Sequence, residues 1–168
     1  EASAPAKASQ LATWLKTQSL DNKQWYVLAD DSGLEVDALG GRPGVFSARS
    51  AADETACSGN ATDEANNAKL IRLLKEVPEK ERTGRFRCVL ALINSFPKAS
   101  TSGQWTFSGS CEGQLMLESS GDQGFGYDPL FRPKGFDQTF AELGATIKNR
   151  ISHRSHALQK LKTFLSQT

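Results

Sequence analysis

Apolar positions recur at helical spacing over residues 4–17, where Ala8, Leu11, Ala12 and Leu15 fall on one side and predict an amphipathic helix. A short continuous apolar run follows, Trp25-Tyr26-Val27-Leu28-Ala29, which predicts a buried strand ending at Asp30-Asp31-Ser32-Gly33. Leu34-Glu35-Val36 predicts a second extended piece, and Gly40-Gly41-Arg42-Pro43-Gly44 a turn or loop. Residues 62–75 form the next helical pattern, with Thr62 or Asp63 as N-cap and Ala65, Ala68, Leu70, Ile71 and Leu74 on its apolar side. Pro78 stops it. Residues 85–93 predict a central strand, residues 104–111 an alternating partner, and residues 113–117 a continuation of the sheet. A glycine-rich loop over residues 121–126 leads through Tyr127-Asp128-Pro129 to a short apolar piece at Leu130-Phe131. The last element is a helix over residues 152–165, striped by Ala157, Leu158, Leu161, Phe164 and Leu165. Strands and helices alternate without an internal repeat, so the fold class is α/β or mixed α+β, and no linker divides residues 1–168 into more than a single domain.

Composition narrows the function classes. The chain has 168 residues, 38% of them hydrophobic and 23% charged, enough for a packed core. Twenty Lys and Arg against 19 Asp and Glu leave a net charge of +1, which argues against a general binder of nucleic-acid polymers, although it leaves room for a local basic patch. No apolar run is long enough for a membrane span, so no membrane partner is expected. The three cysteines, Cys57, Cys88 and Cys111, are widely separated and contain no Cys-x-x-Cys pair, which disfavours a zinc site or disulfide scaffold. Cys88 reads as a small core residue, and a reducing, cytoplasmic location fits best. The chain begins at Glu1, without Met and inside a helical pattern, so either the start has been processed away or the sequence is incomplete.

Three constellations carry chemistry. Adjacent carboxylates at Asp30-Asp31-Ser32-Gly33 suit Mg²⁺ and the activation of a water, although strand alternation lets only one face a given site; a strand-ending turn is the plain alternative. In Gly124-Phe125-Gly126-Tyr127-Asp128-Pro129, the glycines permit close approach, an aromatic could stack on a nucleobase and Asp128 could accept hydrogen bonds; alternatively both aromatics are core. In Lys148-Asn149-Arg150-Ile151-Ser152-His153-Arg154, Ser152 caps the last helix and sets His153 and Arg154 in its first turn. Cations there oppose the helix dipole and suggest an anion or a base carbonyl as partner, the alternative being a solvated basic surface. The 40–44 turn lacks a Gly-Lys-Ser/Thr ending, no Gly-x-Ser-x-Gly elbow is present, and His156 reads as a surface residue.

Taken in order, these residues resemble the Ham1-type nucleoside triphosphate pyrophosphatases, the inosine triphosphatase family. The similarity rests on Ala29 through Leu39, Pro43-Gly44-Val45-Phe46-Ser47-Ala48-Arg49, Asn66-Asn67-Ala68-Lys69-Leu70, Gly124 through Phe131, Phe140-Ala141-Glu142-Leu143, and Lys148-Asn149 with Ile151-Ser152-His153-Arg154. It implies a central mixed β-sheet flanked by helices with a cleft between two lobes, and hydrolysis of ITP, dITP and XTP to the monophosphate and pyrophosphate. By this resemblance Asp31 is the catalytic carboxylate and Mg²⁺ ligand, supported by Asp30. Ser32 touches substrate, and Phe125 stacks on the base with Gly126, Tyr127 and Asp128 completing the pocket. Lys148, His153 and Arg154 contact the nucleotide, the last two reading the 6-oxo edge as cations. A homodimer is the usual assembly.

The family's amino-terminal strand and Thr-Gly-Asn-x-x-Lys loop have no match here. Its Glu-Asn-Ala-x-x-Lys-Ala motif is matched only in its second half by Ala4-Pro5-Ala6-Lys7-Ala8, leaving Ser3 at the Asn, Ala2 at the Glu and Glu1 one residue out of register. Loss of such groups removes transition-state stabilisation on the order of 10² to 10⁴-fold in rate. A catalytically impaired nucleotide-binding or partner-binding protein is therefore the alternative reading. An aspartyl-phosphate phosphatase would need an Asp-x-Asp motif that Asp30-Asp31-Ser32 does not supply.

Overall fold

A computed structural model describes residues 3–18, 25–55, 59–95 and 103–167. Cys57, Glu1 and Ala2 lie outside the described residues. The element order is α1 (Ala4–Thr17), β1 (Trp25–Val36), β2 (Pro43–Gly44), α2 (Ala52–Thr55), α3 (Asp63–Leu74), β3 (Thr83–Ser95), β4 (Gln104–Leu115), β5 (Phe131–Pro133), α4 (Phe140–Ile151) and α5 (His153–Leu165). The strands form one sheet in the order β2-β1-β3-β4-β5. A helix-flanked sheet is the expected class; among the described residues every ladder in it is antiparallel, where mixed pairing was implied.

β1 does not end at its acidic pair. It runs on through Asp30, opposite Leu90, and Asp31, opposite Val89, to Val36. The backbone groups of these residues stay in the ladder while each carboxylate finds a cation beside the sheet, so local polarity does not break the strand. Leu34-Glu35-Val36 is thus the end of the same strand, and Leu34 and Val36 are fully buried in the main core with Phe86, Leu115, Phe131 and Phe140.

Two helices cover opposite faces of the sheet, α1 over β1 and β3 and α5 over β3 and β4. α1 lays Ala4, Ala8 and Ala12 on Val27 and Ala91, an alanine stripe at i, i+4 that lets the helix approach closely. Leu11, expected on that side, is 44% exposed, because the small residues make the contact. On the other side Ala157 and Leu161 of α5 pack on Cys88, Leu90 and Leu92, whereas Leu158 and Leu165 of the expected stripe are exposed. Gly109 makes this close packing possible, since a Cβ there would lie 2.2 Å from the His153 carbonyl. β5 pairs with β4 only over Gly113–Leu115. Farther along β4, Lys160 donates to the Ser108 carbonyl at 2.6 Å and His156 Nδ1–H to that of Ser110 at 2.8 Å, side chains that occupy the strand edge.

Both N-caps expected at α3 and α5 form: Thr62 Oγ1 accepts from Ala65 N–H and Ser152 Oγ from Ser155 N–H. α4 was not anticipated, although Thr139-Phe140-Ala141-Glu142 is a capping-box pattern and both reciprocal bonds are made. Gly144 (φ 71°, ψ 177°) interrupts α4 with a kink. No helix among the described residues is long and apolar enough to cross a membrane.

Candidate active site

The pleat of β1 sends Asp30 and Asp31 to opposite faces. Asp30 faces α5. Its Oδ1 accepts from Arg154 Nη2 at 3.1 Å and Ser32 Oγ at 3.0 Å, and its Oδ2 from Arg154 Nε at 3.2 Å and Cys88 Sγ at 3.3 Å. Burial opposes ionisation of Asp30, but the hydrogen bond and charge of Arg154, with Cys88 and Ser32, outweigh it and hold the carboxyl below its ordinary pKa. Burial pushes the Cys88 thiol up to about 11, so it acts as a neutral donor. Asp31 faces α1, where Lys7 Nζ lies 2.6 Å from Oδ1 and 3.4 Å from the Asp30 carbonyl oxygen. In the sequence Lys7 stands out only as part of the Ala4-Pro5-Ala6-Lys7-Ala8 match, which does not indicate this contact.

A cavity of about 190 Å³ opens between the end of β1, the 124–128 loop, α3 and the start of α5. Ser32, Phe125, Gly126, Tyr127, Asp128, Lys148, His153 and Arg154 all line it, joined by Ser47, Asp63 and Asn66, which sequence reasoning had not assigned. Asp30 and Asp31 stand outside this lining, and Arg154 links the cavity to Asp30. A wider depression of about 750 Å³ follows the β4 edge, but its cations are engaged: Lys160 on Ser108, Arg85 on Glu112 and Asp37, and Arg87 on Glu35.

The two loop aromatics separate. Phe125 is 61% exposed, with Lys148 Nζ 4.4 Å and Arg154 Cζ 5.6 Å from its ring centroid. Tyr127 belongs to the core; its hydroxyl donates to the Ser47 carbonyl at 3.1 Å, and burial pushes its pKa up to about 12. Ser47 Oγ in turn accepts from Leu34 N–H and donates to the Gly44 carbonyl, tying the cavity wall to β1. Asp128 is buried and forms an ion pair with Lys148, while its Oδ2 also accepts from Phe125 N–H at 2.9 Å. Gly124, at φ +86°, leaves room for that carboxylate, because a Cβ would sit 2.2 Å from Asp128 Oδ2.

His153 corrects the expectation of two cations. It is 3% exposed and stacks on Phe86 at a 5.0 Å centroid distance. Burial first, then the neighbouring Arg154 and Lys148 charges, push its pKa down to about 3, so it is a neutral imidazole at physiological pH. Its Nδ1 is buried without a partner.

No group of three or more His, Cys, Asp or Glu side chains among the described residues is arranged around a metal position. Mg²⁺ needs less. It commonly takes one or two carboxylates and completes its shell with water and phosphate oxygens. Asp31, partly exposed and with its one side-chain hydrogen bond among the described residues on Oδ1, fits as one such carboxylate.

The Ham1 family model matches residues 1–164. A dITP/XTP pyrophosphatase of Desulforamulus reducens is 51% identical over 140 residues, 83% of this chain and 64% of the relative. One of Oceanobacillus iheyensis is 42% identical over 165 residues, covering 98% of this chain and 74% of the relative. The solved structure of the Staphylococcus aureus Ham1 protein superposes with a TM-score of 0.79 at 38% identity, covering 98% of this chain and 74% of that one. Against the Desulforamulus protein and a similar one from Halalkalibacterium halodurans, the matched chain spans 64% and 66% of the relative's length. With the family model matched over residues 1–164 and the fold shared with a solved Ham1 protein, the chain belongs to the Ham1 family.

Proposed function

We propose that this chain carries the nucleotide site of a Mg²⁺-dependent pyrophosphatase that converts ITP, dITP and XTP to the monophosphate and pyrophosphate. The observation that carries this reading is the convergence of an exposed Phe125, a buried neutral His153 and the Arg154 guanidinium on one cavity, which Arg154 ties to Asp30, with Asp31 the next residue along β1. The names of the relatives at 51% and 42% identity agree with it.

In this reading the purine stacks on Phe125. Arg154, oriented by its paired bonds to Asp30, donates to the 6-oxo group, where the amino group of adenine would set donor against donor. Lys148, neutralised on one side by Asp128, keeps the rim of the cavity cationic. Asp31 accepts the proton of a water that attacks the α-phosphorus in line. The new P–O bond replaces the bond to the bridging oxygen, and pyrophosphate leaves with the electron pair. Mg²⁺ held by Asp31 would supply charge neutralisation on the phosphates. The reading includes a cytoplasmic location, with which the free buried thiols Cys88 and Cys111 agree, and a homodimeric assembly.

A nucleotide-binding protein without turnover is the second reading, favoured by the Lys7 ammonium bound to the proposed base. Pyrophosphate release from ITP, dITP, XTP, GTP and ATP with Mg²⁺ separates the two. Turnover of the 6-oxo substrates that falls about 100-fold or more in Asp31→Asn is the expected result. Turnover that survives Asp31→Asn overturns the catalytic assignment, orthophosphate as sole product indicates a phosphatase, and ITP-dependent thermal stabilisation without turnover supports the second reading.

A further inference from the structure

Phe125 and Gly126 lie in a stretch with no helix or ladder, yet every backbone polar group of the pair is satisfied, three of the four by side chains. Phe125 N–H donates to Asp128 Oδ2 at 2.9 Å, and the Phe125 carbonyl accepts from Asp128 N–H at 3.3 Å. Gly126 N–H donates to Asp63 Oδ2 at 2.6 Å, and the Gly126 carbonyl accepts from Asn67 Nδ2 at 3.0 Å. Asp63 and Asn67 are one turn apart on α3, so a single helix face grips both ends of one residue in the loop. Asn67 Oδ1 is buried and has no partner. An unpaired buried acceptor is costly, so the amide is held in place at the expense of one end for the sake of the bond from the other. Neighbouring Asn66 has a different task, binding Ala51 N–H and the Ala48 carbonyl.

We infer that Asp63 and Asn67 are positioning residues that hold the Gly126 peptide and thereby set the Phe125 ring beside Lys148 and Arg154 for the purine. The inference rests on the reading of Phe125 as the base-stacking residue and extends that site to α3, whose side chains bear none of the proposed chemistry. The exposed ring gains little from packing, so its direction depends on its backbone, and a loosened peptide costs affinity for the base while leaving phosphate contacts alone.

The test is equilibrium binding of IMP and, separately, of inorganic pyrophosphate to wild type, Asp63→Ala, Asp63→Asn, Asn67→Ala, Phe125→Ala and the double variants with Phe125→Ala. Asp63→Ala and Asn67→Ala weaken IMP about tenfold each, near the value of one hydrogen bond to a charged or buried group. Pyrophosphate binding is unchanged, and Asp63→Asn, which keeps an acceptor oxygen, recovers most of the loss. In the Phe125→Ala background the same substitutions have no further effect, because there is no ring left to position. Equal losses with and without Phe125, or a parallel loss of pyrophosphate binding, overturn the inference. So does wild-type IMP affinity in Asp63→Ala and Asn67→Ala when Phe125→Ala alone weakens it. Wild-type IMP affinity in Phe125→Ala instead overturns the stacking reading itself.

Discussion

His153 sits at the first turn of α5 between Phe86 and two cations, with one ring nitrogen unpaired. A group whose folded pKa is depressed stabilises the fold above its unfolded value and loses that contribution as pH falls toward the folded one. For His153 the window runs from 6.5 down to about 3. Between pH 7 and pH 5, above the ordinary carboxylate range, the unfolding free energy of wild type in urea denaturation should therefore fall, by up to about 1 kcal/mol per pH unit from this residue, and the midpoint with it. His153→Phe, which preserves the stack on Phe86, should reduce that fall; an unchanged pH dependence of the midpoint counts against a buried neutral imidazole. The motif order put His153 beside Arg154, but as a second cation. Its charge state depends on burial under residues far away in sequence, which no local pattern records. The same holds for the two aromatics of the 124–128 loop: either could have been free or buried, and only packing against the Leu34–Phe140 core assigns Tyr127 to the interior.

At the scale of elements, α1 works by closeness. Ala4, Ala8 and Ala12 bring the helix against Ala91 and Val27, and that distance is what lets Lys7 reach Asp31. Ala8→Leu should overpack this contact, costing about 1–3 kcal/mol in urea denaturation, whereas Leu11→Ala at the exposed side should stay within about 0.5 kcal/mol. Equal effects of the two substitutions would show that the alanine stripe is not the packing face. The helical period over residues 4–17 was legible and so was most of its packed side, since Ala8 and Ala12 are buried and Leu15 packs beside them; Leu11 alone turns to solvent, because the small residues make the close contact. α4 was legible in principle through Thr139 and Glu142; its Gly144 kink obscured a continuous period.

Across the whole molecule, β1 is where the two ends of the described chain meet. Lys7 from α1 and Arg154 from α5 reach adjacent residues of one strand from opposite faces, so a net charge of +1 conceals two local ion pairs. α5 is also the cover for Cys88, Leu90 and Leu92, with Phe164 tilted against Trp105 and Phe107. Ending the chain after Ser152 removes this cover and the Arg154 partner of Asp30 together. Such a truncation should lose the cooperative thermal transition in circular dichroism; a retained sharp transition would mean that α5 is docked rather than integral.

What the sequence determined by itself is local or ordered along the chain: the caps at Thr62 and Ser152, the strands centred on β3 and β4, the alternation that parts Asp30 from Asp31, and the succession of motifs that marks the family. Such features depend on neighbours within a few residues or on pleat parity, so they need no knowledge of what lies across the fold. Tertiary structure decided what each of these residues meets. It carried β1 through its acidic pair, set Lys7 on one carboxylate and Arg154 on the other, left Phe125 exposed with its peptide in the grip of α3, and made His153 neutral. Those outcomes turn on desolvation and on contacts between residues as far apart as Asp30 and Arg154, and they exist only when the helices and the sheet close on one another.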